Sequence, residues 1–568
     1  MTPSAAAGVQ ITELDIRDQA PFPLPGLDDL SRWFPFPTMR EHQETALRAI
    51  IGALQAGYRT VVLEAPTGFG KSALAVALAR WFEANQKRSY IIVSSKVLQD
   101  QYLQDFSTVT AKGRANFACL SRPQSCEVSQ MQGNGTRCAH IPAPATKPDG
   151  KTFLGTSAKR GALYIPEDMG VCPYWEQKCT AMEHAFPLFN YDYFLHETRY
   201  AGDFGLRDLV VCDEAHAIET KLMKFVGFEI SSHELEKAGA WVPKEELTAE
   251  AWISVLGDWR DRFDAKVKKA EANMENLTPL DLEKLEDFRH TVAKCNELMG
   301  ELDQDPDLWV VSVAPTNYKG RAGSKVSFKP IRVQKWSSFL FSKGGAFVLQ
   351  SATILDAAAL CASLGVEGKV LSLKVPSIFP AERRAFLYRP VGKMSRASKD
   401  ATMPLLLQEL RAILAEHPTE KGVIHTHSYA IQKAVLEGVA SPRFIANEGS
   451  ASQDIFKQFK SSEQPLVLVT PSAYEGVDFK DDQCRWQVLC KVPYPDLGDP
   501  QVKKRADQDR AWYAWQTALR IVQTYGRGMR SPDDFCTTFI LDEDFKRFYA
   551  GNGALFPTWF QEAVRWQK

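Results

Sequence analysis

The chain has 568 residues, more than one compact domain holds, so three or four folding units are expected. Hydrophobic residues make up 45% of the chain, charged residues 24%, and the formal net charge is −1, so nucleic acid could be attracted only by local patches. No apolar run has transmembrane length and the first residues lack a signal-peptide pattern, so a cytoplasmic location is expected.

Residues 1–30 are polar and become proline-rich, which predicts a loose lead-in. From Arg40 to Ala53 the apolar residues recur at helical spacing. Gln43, near the start of this helix, is a candidate for reading an adenine edge, because its amide offers both a donor and an acceptor. Phe34 or Phe36 could stack nearby. The alternative is an ordinary exposed glutamine on a helix.

The central feature of the sequence is the stretch from Thr60 to Ser72. Its β-branched beginning predicts a buried strand, its glycines a turn, and the residues from Ser72 to Arg80 a helix. Such a loop can cradle a phosphate with backbone N–H groups, while Lys71 adds a positive charge and Ser72 a Mg²⁺ ligand. The alternative is a chance glycine-rich turn. The candidate phosphate-binding residues are Thr67, Gly68, Gly70, Lys71 and Ser72.

A second buried strand is predicted at Tyr90–Val93, and it ends in Ser94, Ser95 and Lys96. Hydroxyl groups and a lysine at the end of a parallel strand can hold a phosphodiester backbone without reading its sequence. The same residues suit the capped start of a helix equally well.

Residues 106–190 interrupt the alternation of strands and helices and contain five of the 11 cysteines. Clustered cysteines in a reducing compartment indicate metal more than disulfides, although paired zinc knuckles are missing. Loops can bring widely spaced thiolates together around a cubane iron–sulfur cluster. The alternative is a set of scattered buried thiols. The five residues are Cys119, Cys126, Cys138, Cys172 and Cys179.

The apolar run Leu209–Cys212 predicts a strand that delivers Asp213 and Glu214 to its carboxyl end. Asp213 can hold Mg²⁺, and Glu214 can orient and deprotonate an attacking water. An Asp-Glu pair alone is a weak signal, but after a buried strand and downstream of a phosphate loop it strongly indicates nucleotide hydrolysis.

From residue 231 to residue 305 the chain is charged and helical, which predicts a packed helical insertion without a catalytic role. Short strands are predicted in residues 306–345. Ala346–Leu349 predicts a further buried strand, closed by Ser351–Thr353, and the shift in composition near Pro376 predicts a linker.

A second series of strands and helices follows, with strands predicted near residues 422–425, 465–470 and 486–492. A helix is predicted from about Arg510 through Gln523–Arg530. Because Arg527 and Arg530 lie three residues apart, both guanidinium groups can point one way, toward a γ-phosphate held by another domain. The alternative is a pair of solvated surface arginines.

Taken together, these motifs resemble the iron–sulfur branch of the superfamily 2 DNA helicases, the XPD/DinG-like proteins. Asn116–Cys119 and Cys172–Tyr174 resemble the two ends of that family's cysteine-bearing segment. The other segments that carry the resemblance occur in the family's order and are Ala65–Ser72, Asp213–His216, Ser351–Thr353, Glu475–Phe479 and Gln523–Arg530.

The resemblance implies an α/β fold of two RecA-like P-loop motor domains, with an iron–sulfur insertion and a helical arch insertion in the first. The implied cofactors are ATP, Mg²⁺ and a [4Fe–4S] cluster. The implied boundaries are 1–105, 191–230 and 336–375 for the first motor domain, 106–190 for the iron–sulfur domain, 231–335 for the arch and 376–568 for the second motor domain.

The resemblance also implies roles for individual residues. The cluster would be held by Cys119, Cys126, Cys138 and Cys172. Cys179 could replace either of the two middle ligands, and this alternative stays open. The residues implied to bind ATP are Gln43, Thr67, Gly68, Gly70, Lys71, Ser72, Asp213 and Gln523. Turnover would depend on Lys71, Asp213, Glu214, Arg527 and Arg530.

The implied function is an ATP-dependent DNA helicase that moves 5′-to-3′ on single-stranded DNA and unwinds duplexes. Its partners would be single-stranded, tailed or forked DNA, with an RNA–DNA hybrid as a further candidate and no membrane. One alternative is a translocase that remodels protein–DNA or R-loop complexes without processive unwinding. A second alternative is a nucleotide switch or an inactive scaffold. The intact Lys71, Glu214 and Arg527 argue against this alternative. For the metal, a zinc-stapled domain is the alternative.

Overall fold

The structure is a computed structural model, and it describes most of the chain. The described residues are 9–15, 30–120, 140–144, 151–167, 170–244, 247–318, 320–377, 379–446, 452–471, 479, 481–529 and 534–566.

The first part of the chain begins as an alternation of strands and helices and then departs from it. Its elements, in chain order, are β1 (Val9–Asp15), α1 (Gln43–Gln55), β2 (Thr60–Glu64), α2 (Lys71–Ala84), β3 (Ser89–Val93), α3 (Lys96–Asp105), β4 (Ala143–Pro144), β5 (Lys151–Ser157), β6 (Gly161–Pro166), α4 (Pro173–Glu183), β7 (Leu188–Asn190), α5 (Tyr191–His196) and β8 (Arg207–Asp213).

The middle part contains the two longest helices among the described residues. Its elements are α6 (Ile218–Val226), β9 (Phe228–Ser231), α7 (Ser232–Ala238), α8 (Ala249–Glu271), α9 (Pro279–Gln304), β10 (Trp309–Tyr318), β11 (Arg321–Pro330), α10 (Ser338–Phe341), β12 (Gly344–Ser351), α11 (Ala357–Leu364) and β13 (Gly368–Lys374).

The last part returns to alternating strands and helices. Its elements are β14 (Phe386–Gly392), α12 (Lys399–Glu416), β15 (Gly422–His425), α13 (Tyr429–Val439), β16 (Phe444–Ala446), α14 (Ser452–Ser461), β17 (Val467–Thr470), β18 (Trp486–Leu489), α15 (Pro500–Gln508), α16 (Arg510–Tyr525), β19 (Thr537–Asp542), α17 (Asp544–Asn552), α18 (Thr558–Gln561) and β20 (Val564–Trp566).

The first large sheet has seven parallel strands in the order β1-β13-β2-β12-β8-β3-β7, and with α1 to α3 we call it the first lobe. All residues of β2 are buried, as expected of a parallel strand covered on both faces. In the register, Ser351 lies opposite Glu64, and Gln350 lies opposite Asp213. The carboxyl ends of β2, β12 and β8 therefore meet at one edge of the sheet.

The second large sheet also has seven parallel strands, in the order β16-β17-β15-β18-β19-β14-β20. With α12 to α18 we call it the second lobe. Two covered parallel sheets confirm the predicted α/β fold class.

The prediction of a loose lead-in is wrong for Val9–Asp15. These residues form β1, which pairs in parallel with β13 along the full length of both strands. The strand has a short and largely polar sequence, so its pairing depends on the edge that β13 offers rather than on its own pattern.

The inserted residues form smaller units. In α8 the buried residues Trp252, Leu256, Trp259 and Phe263 recur every three or four positions, so one face packs against α9 and a three-stranded antiparallel sheet, β10-β11-β9. Helices therefore dominate the residues for which the sequence predicts a helical insertion. In the cysteine-bearing segment, β4, β6 and β5 form another three-stranded antiparallel sheet.

The two lobes share part of their hydrophobic core. Trp515 and Leu519 of α16 lie in the same buried cluster as Leu349 and Ile354 of the first lobe. The indole N–H of Trp515 also donates to the carbonyl of Ile354 at 2.8 Å. A search of the described residues finds no helix long and apolar enough to cross a membrane.

Candidate nucleotide-binding site

A cavity of about 450 Å³ lies between the carboxyl edge of the first sheet and the end of α16. It is lined from both lobes, as the phosphate-loop prediction and the arginine prediction together require. The predicted site residues on its wall are Thr67, Gly68, Gly70, Lys71, Ser72, Asp213, Glu214, Gln523 and Arg527.

The phosphate loop connects β2 to α2. Gly68 and Gly70 have φ of 82° and 89°, a left-handed conformation that favours glycine. A Cβ on Gly70 would also lie only 2.5 Å from Nε2 of Gln43. Lys71, the first residue of α2, donates from Nζ to the carbonyl of Ala65 at 3.2 Å. The lysine therefore lies over the loop at a helix N-terminus, where an anion is stabilised.

The amide of Gln43 is engaged by the phosphate loop and the preceding turn. Its Nε2 donates to the carbonyl of Phe69, and its Oε1 accepts from the backbone N–H of Arg40 at 2.6 Å. The Gln43 side chain is buried. The ring of Phe36, one of the two candidates for stacking on adenine, packs against the ring of Phe106, with 5.8 Å between the centroids. The structure shows Gln43 supporting the loop, so the adenine contact stays a prediction.

Asp213 ends β8 as a buried carboxylate with a partner on each oxygen. Oδ1 accepts from the backbone N–H of Glu214 at 3.0 Å, and Oδ2 accepts from the hydroxyl of Tyr102 at 2.7 Å. Burial and the neighbouring charge of Glu214 raise the pKa of Asp213. A bound cation would reverse that effect, as expected of a metal carboxylate.

Glu214 is held in the left-handed region, with φ of 51°, which is strained for a residue with a Cβ. Its Oε2 accepts from Ser351 Oγ at 3.1 Å and lies 3.3 Å from Nδ1 of His216. Burial opposes ionisation of Glu214, but hydrogen bonding and charge from His216 outweigh it and lower the pKa. The carboxylate therefore stays ionised and aimed at the cavity.

Ser351 connects this carboxylate to the loop after β12. Its Oγ lies 2.7 Å from His216 Nδ1 and accepts from the backbone N–H of Thr353 at 3.2 Å. The next residues are fixed by Glu64, whose Oε1 accepts the N–H groups of Ile354 and Leu355 at 2.9 and 3.0 Å. The predicted pieces at the ends of β2, β8 and β12 thus form one hydrogen-bonded unit.

The second lobe contributes Gln523 and Arg527. Helix α16 ends at Tyr525, so Arg527 lies in a 3₁₀ turn, Gly526–Gly528, beyond the helix. The Nε2 atom of Gln523 is buried and has no hydrogen-bond partner in the described part of the chain, which suits a ligand in the cavity. Arg530 and Glu475–Asp478 lie outside the described residues.

The cysteine-bearing segment brings two of the predicted ligands into one region. Phe117 packs edge-on against Tyr174, 5.6 Å between ring centroids, and these rings lie two residues from Cys119 and Cys172. Cys126 and Cys138 lie outside the described residues, and within those described no three metal-ligating side chains form a group. The ring contact brings together the chain segments that carry Cys119 and Cys172, and the cluster itself stays a prediction.

Cys179 and Cys172 are both buried, but Cys179 lies in the middle of a helix–strand contact. It lies inside α4, 1% exposed, and burial raises the pKa of its thiol to about 11. A Cβ on Gly155 would lie 3.1 Å from the Cys179 carbonyl, so β5 packs directly on this position. A buried protonated thiol in a helix–strand contact is typical of a core residue rather than a ligand.

Three residues near the cavity were not found from the sequence. Tyr102 bonds Asp213, Glu64 fixes Ile354 and Leu355, and Arg384 donates from Nε to the carbonyl of Phe379 at 2.8 Å at the wall of the cavity. Tyr102 and Arg384 belong to no motif with a recognisable pattern, and Glu64 lies in the predicted strand before the phosphate loop without a role assigned to it, so only the tertiary structure reveals these contacts.

Two family models match the chain, one in each lobe. The model described as "Type III restriction enzyme, res subunit" matches residues 36–233, and the model described as "Helicase C-terminal domain" matches residues 410–563. The ATP-dependent DNA helicase XPD of Sulfolobus acidocaldarius is 20% identical over 561 residues, which cover 90% of this chain and 97% of that protein. The ATP-dependent DNA helicase YoaA of Escherichia coli is 22% identical over 556 residues, covering 83% and 85%.

Solved structures give the same fold. An XPD helicase aligns over 94% of this chain and 100% of its own, with 15% identity and a TM-score of 0.64. Xpd4 of S. tokodaii aligns over 93% and 100%, with 17% identity and a TM-score of 0.53. The two parallel sheets are thus RecA-like domains, and the sequence relatives and family models show that the chain is similar to helicases of the XPD/DinG type.

Proposed function

We propose that the chain is an ATP-dependent DNA helicase that translocates 5′-to-3′ on single-stranded DNA and unwinds duplexes. The observation that carries this proposal is the shared cavity. One lobe supplies the phosphate loop and two carboxylates, and the other supplies Gln523 and Arg527. A site completed by two domains can convert nucleotide turnover into movement between them.

ATP binds with its phosphates on the loop that precedes α2, where backbone N–H groups and Lys71 face them. Mg²⁺, when bound with ATP, neutralises phosphate charge, and Ser72 and Asp213 are the residues placed to hold it. Gln523 presents an amide N–H from the second lobe.

Hydrolysis uses the ionised Glu214 to orient the attacking water and accept its proton. Arg527 stabilises charge on the transferred phosphate from the opposite lobe, with Arg530 as the second predicted arginine. Loss of the γ-phosphate removes what both lobes hold, so the cavity opens. Ser351, bonded to both Glu214 and His216, carries the change toward Thr353.

The DNA strand runs across the carboxyl edges of both sheets and is held mainly by its phosphates. In the first lobe Lys96 begins α3 directly after Ser94 and Ser95. In the second lobe Tyr429, 71% exposed, begins α13 directly after the loop that follows β15. An exposed aromatic residue at that place offers a surface for base stacking.

We assign residues 106–190 to the cluster-bearing domain and residues 231–335 to the arch, which together form an opening for one strand. A [4Fe–4S] cluster would be held by Cys119, Cys126, Cys138 and Cys172, where it would act as a structural staple. The packing of Phe117 on Tyr174 supports this set, and the direct packing of β5 on Cys179 argues against its use as a replacement.

The test of the motor is strand displacement with duplexes that carry either a 5′ or a 3′ single-stranded tail, beside ATP turnover measured with and without single-stranded DNA. We expect DNA-stimulated turnover and displacement only from the 5′ tail. Stimulated turnover without displacement from either tail would indicate a translocase that remodels complexes. Turnover indifferent to DNA would contradict the motor proposal.

The test of the cluster is iron and acid-labile sulfide content after purification without oxygen. Cys119→Ser should lose iron, whereas Cys179→Ser and the core variant Cys361→Ser should keep it. A colourless preparation that contains zinc would contradict the cluster and support a zinc-stapled domain.

A further inference from the structure

Tyr102 is a buried phenol on α3 that reaches the metal-binding end of the cavity. Its side chain is 1% exposed, and its ring packs edge-on against Phe106 at 5.4 Å between centroids. Its hydroxyl donates to Oδ2 of Asp213 at 2.7 Å, and the hydroxyl of Ser72 is also within its hydrogen-bonding reach. The phenol thus contacts both side chains assigned to Mg²⁺.

The orientation of the Asp213 carboxylate depends on this contact. The backbone N–H of Glu214 donates to Oδ1 at 3.0 Å and the Tyr102 hydroxyl donates to Oδ2 at 2.7 Å, while the Gln350 side chain is also within hydrogen-bonding reach of the carboxylate. A carboxylate held at one oxygen can rotate about its last torsion, which has a broad, soft potential. A carboxylate that accepts hydrogen bonds at both oxygens keeps a fixed plane, so its remaining lone pairs point in a fixed direction.

We propose that Tyr102 is a positioning residue that sets the Asp213 carboxylate for the metal–nucleotide complex and links that carboxylate to α3. This inference rests on the proposed function, in which Asp213 and Ser72 hold the metal. Tyr102 acts through Asp213 and does not touch the reacting phosphate.

The link matters because α3 also begins at the place assigned to the DNA strand. Ser95 caps the helix by accepting from the N–H of Leu98 at 3.2 Å, and Leu98 and Gln101 line the nucleotide cavity. Lys96 and Tyr102 are six residues apart, so they are separated by roughly 9 Å along a rigid helix. A displacement of α3 by a bound strand therefore reaches the metal carboxylate through a single side chain.

The chain offers a matched control in Tyr191. This phenol is fully buried, and its hydroxyl donates to the same residue, but to the backbone carbonyl of Asp213 at 3.1 Å. Tyr102→Phe and Tyr191→Phe therefore each delete one buried hydroxyl bonded to Asp213, and only the first deletes a bond to its carboxylate.

The experiment measures Mn²⁺ binding to the full chain with a non-hydrolysable ATP analogue, by electron paramagnetic resonance. It also measures the Mg²⁺ dependence of ATP turnover with and without single-stranded DNA. Because hydrogen bonds to charged acceptors are stronger than neutral ones, Tyr102→Phe should weaken Mn²⁺ binding about tenfold and reduce the stimulation by DNA. Tyr191→Phe should change Mn²⁺ affinity less than about twofold, since no carboxylate bond is lost.

Thermal unfolding of both variants separates a positioning role from a structural one. Equal Mn²⁺ affinity in Tyr102→Phe and the parent would overturn the inference, above all if Tyr102→Phe were the less stable of the two variants. If the parent itself did not bind Mn²⁺ with the analogue, the proposed function would fail before the inference about Tyr102 was reached.

Discussion

The two lobes have the same architecture, but different side chains lie at the carboxyl ends of their strands. Each is a seven-stranded parallel sheet covered by helices. The first lobe ends its strands in a glycine loop and in Asp213 and Glu214. In the second lobe, β15 instead ends in the buried His425, with the half-buried His427 two residues beyond it, and the lobe's contribution to the cavity comes from the end of α16. The sheet therefore fixes where the loops lie, and the residues on the loops determine the chemistry of each lobe.

The difference also makes each lobe incomplete alone. In the proposed mechanism the first lobe holds the phosphates and the metal, and the arginine that faces the transferred phosphate lies on the second lobe. Helix α16 joins them, since Trp512 donates to Glu219 at 3.1 Å and Trp515 to the Ile354 carbonyl at 2.8 Å, while the helix leads directly to Arg527. Its position relative to the first lobe therefore sets the position of the arginine.

The largest effect is expected from removing the second lobe's charge from the cavity. Arg527→Ala should lower kcat for ATP by about 10³–10⁵, the range for an arginine that stabilises phosphoryl transfer from another domain. Turnover is measured at saturating ATP and DNA. Arg510→Ala, which removes an exposed arginine at the other end of the same helix, is the matched control and should change little. Normal turnover in Arg527→Ala would leave the second lobe without a catalytic contribution.

The next effect tests the carboxylates of the first lobe. Glu214→Gln should lower kcat by about 10²–10⁴, the usual contribution of a general base, while nucleotide binding persists because the loop is unchanged. Turnover and the affinity for a fluorescent ATP analogue give the two readouts. Glu234→Gln, in the exposed cap of α7, is the control. Loss of nucleotide affinity with unchanged kcat would contradict the role assigned to Glu214.

Much of the first lobe's site could be predicted because its signals are local. Runs such as Val61–Leu63 are buried on both faces and read as strands, and Gly68 and Gly70 mark positive φ within a short span. Once β2, β8 and β12 are parallel neighbours, their carboxyl ends must meet, so Lys71 and Asp213 come together without further information.

The remaining features depend on contacts between distant parts of the chain. Strand β1 forms because β13 offers it an edge, and the amide of Gln43 turns toward the Phe69 carbonyl because the loop packs on α1. Tyr102 reaches Asp213 only through the packing of α3 on the sheet. The extrapolated helix through Arg527 ends at Tyr525 instead, since Gly526–Gly528 tightens into a 3₁₀ turn. Side-chain hydrogen bonds of this kind leave no periodic pattern in a sequence.

A smaller effect is expected at the joint between the lobes. Trp515→Phe keeps an aromatic ring but removes the donor to Ile354, which should cost about 1 kcal/mol and separate the unfolding of the lobes. Trp486→Phe removes a comparable bond, to the carbonyl of Glu420, within the second lobe, so it should lower stability without separating the transitions. Calorimetry distinguishes the two. Identical unfolding profiles for both variants would show that Trp515 does not couple the lobes.

The smallest effect is the pH dependence of the free energy of unfolding that comes from the two imidazoles at the end of β15. In the first lobe, charged groups lie at the corresponding strand ends. Burial, with the nearby charge of Arg527, lowers the pKa of His425 to about 3, and burial lowers that of His427, which faces His425, Lys491 and Arg520. The unfolded chain therefore binds protons that the folded chain does not, so stability falls as the pH drops through the ordinary histidine range. Between about pH 8 and pH 6.5 the loss for His425 should be about 0.4 kcal/mol. Denaturant unfolding at the two pH values should show a shallower pH dependence in His425→Gln by about this amount, and an unchanged dependence would mean that the buried imidazole is protonated in the folded protein as readily as in the unfolded chain.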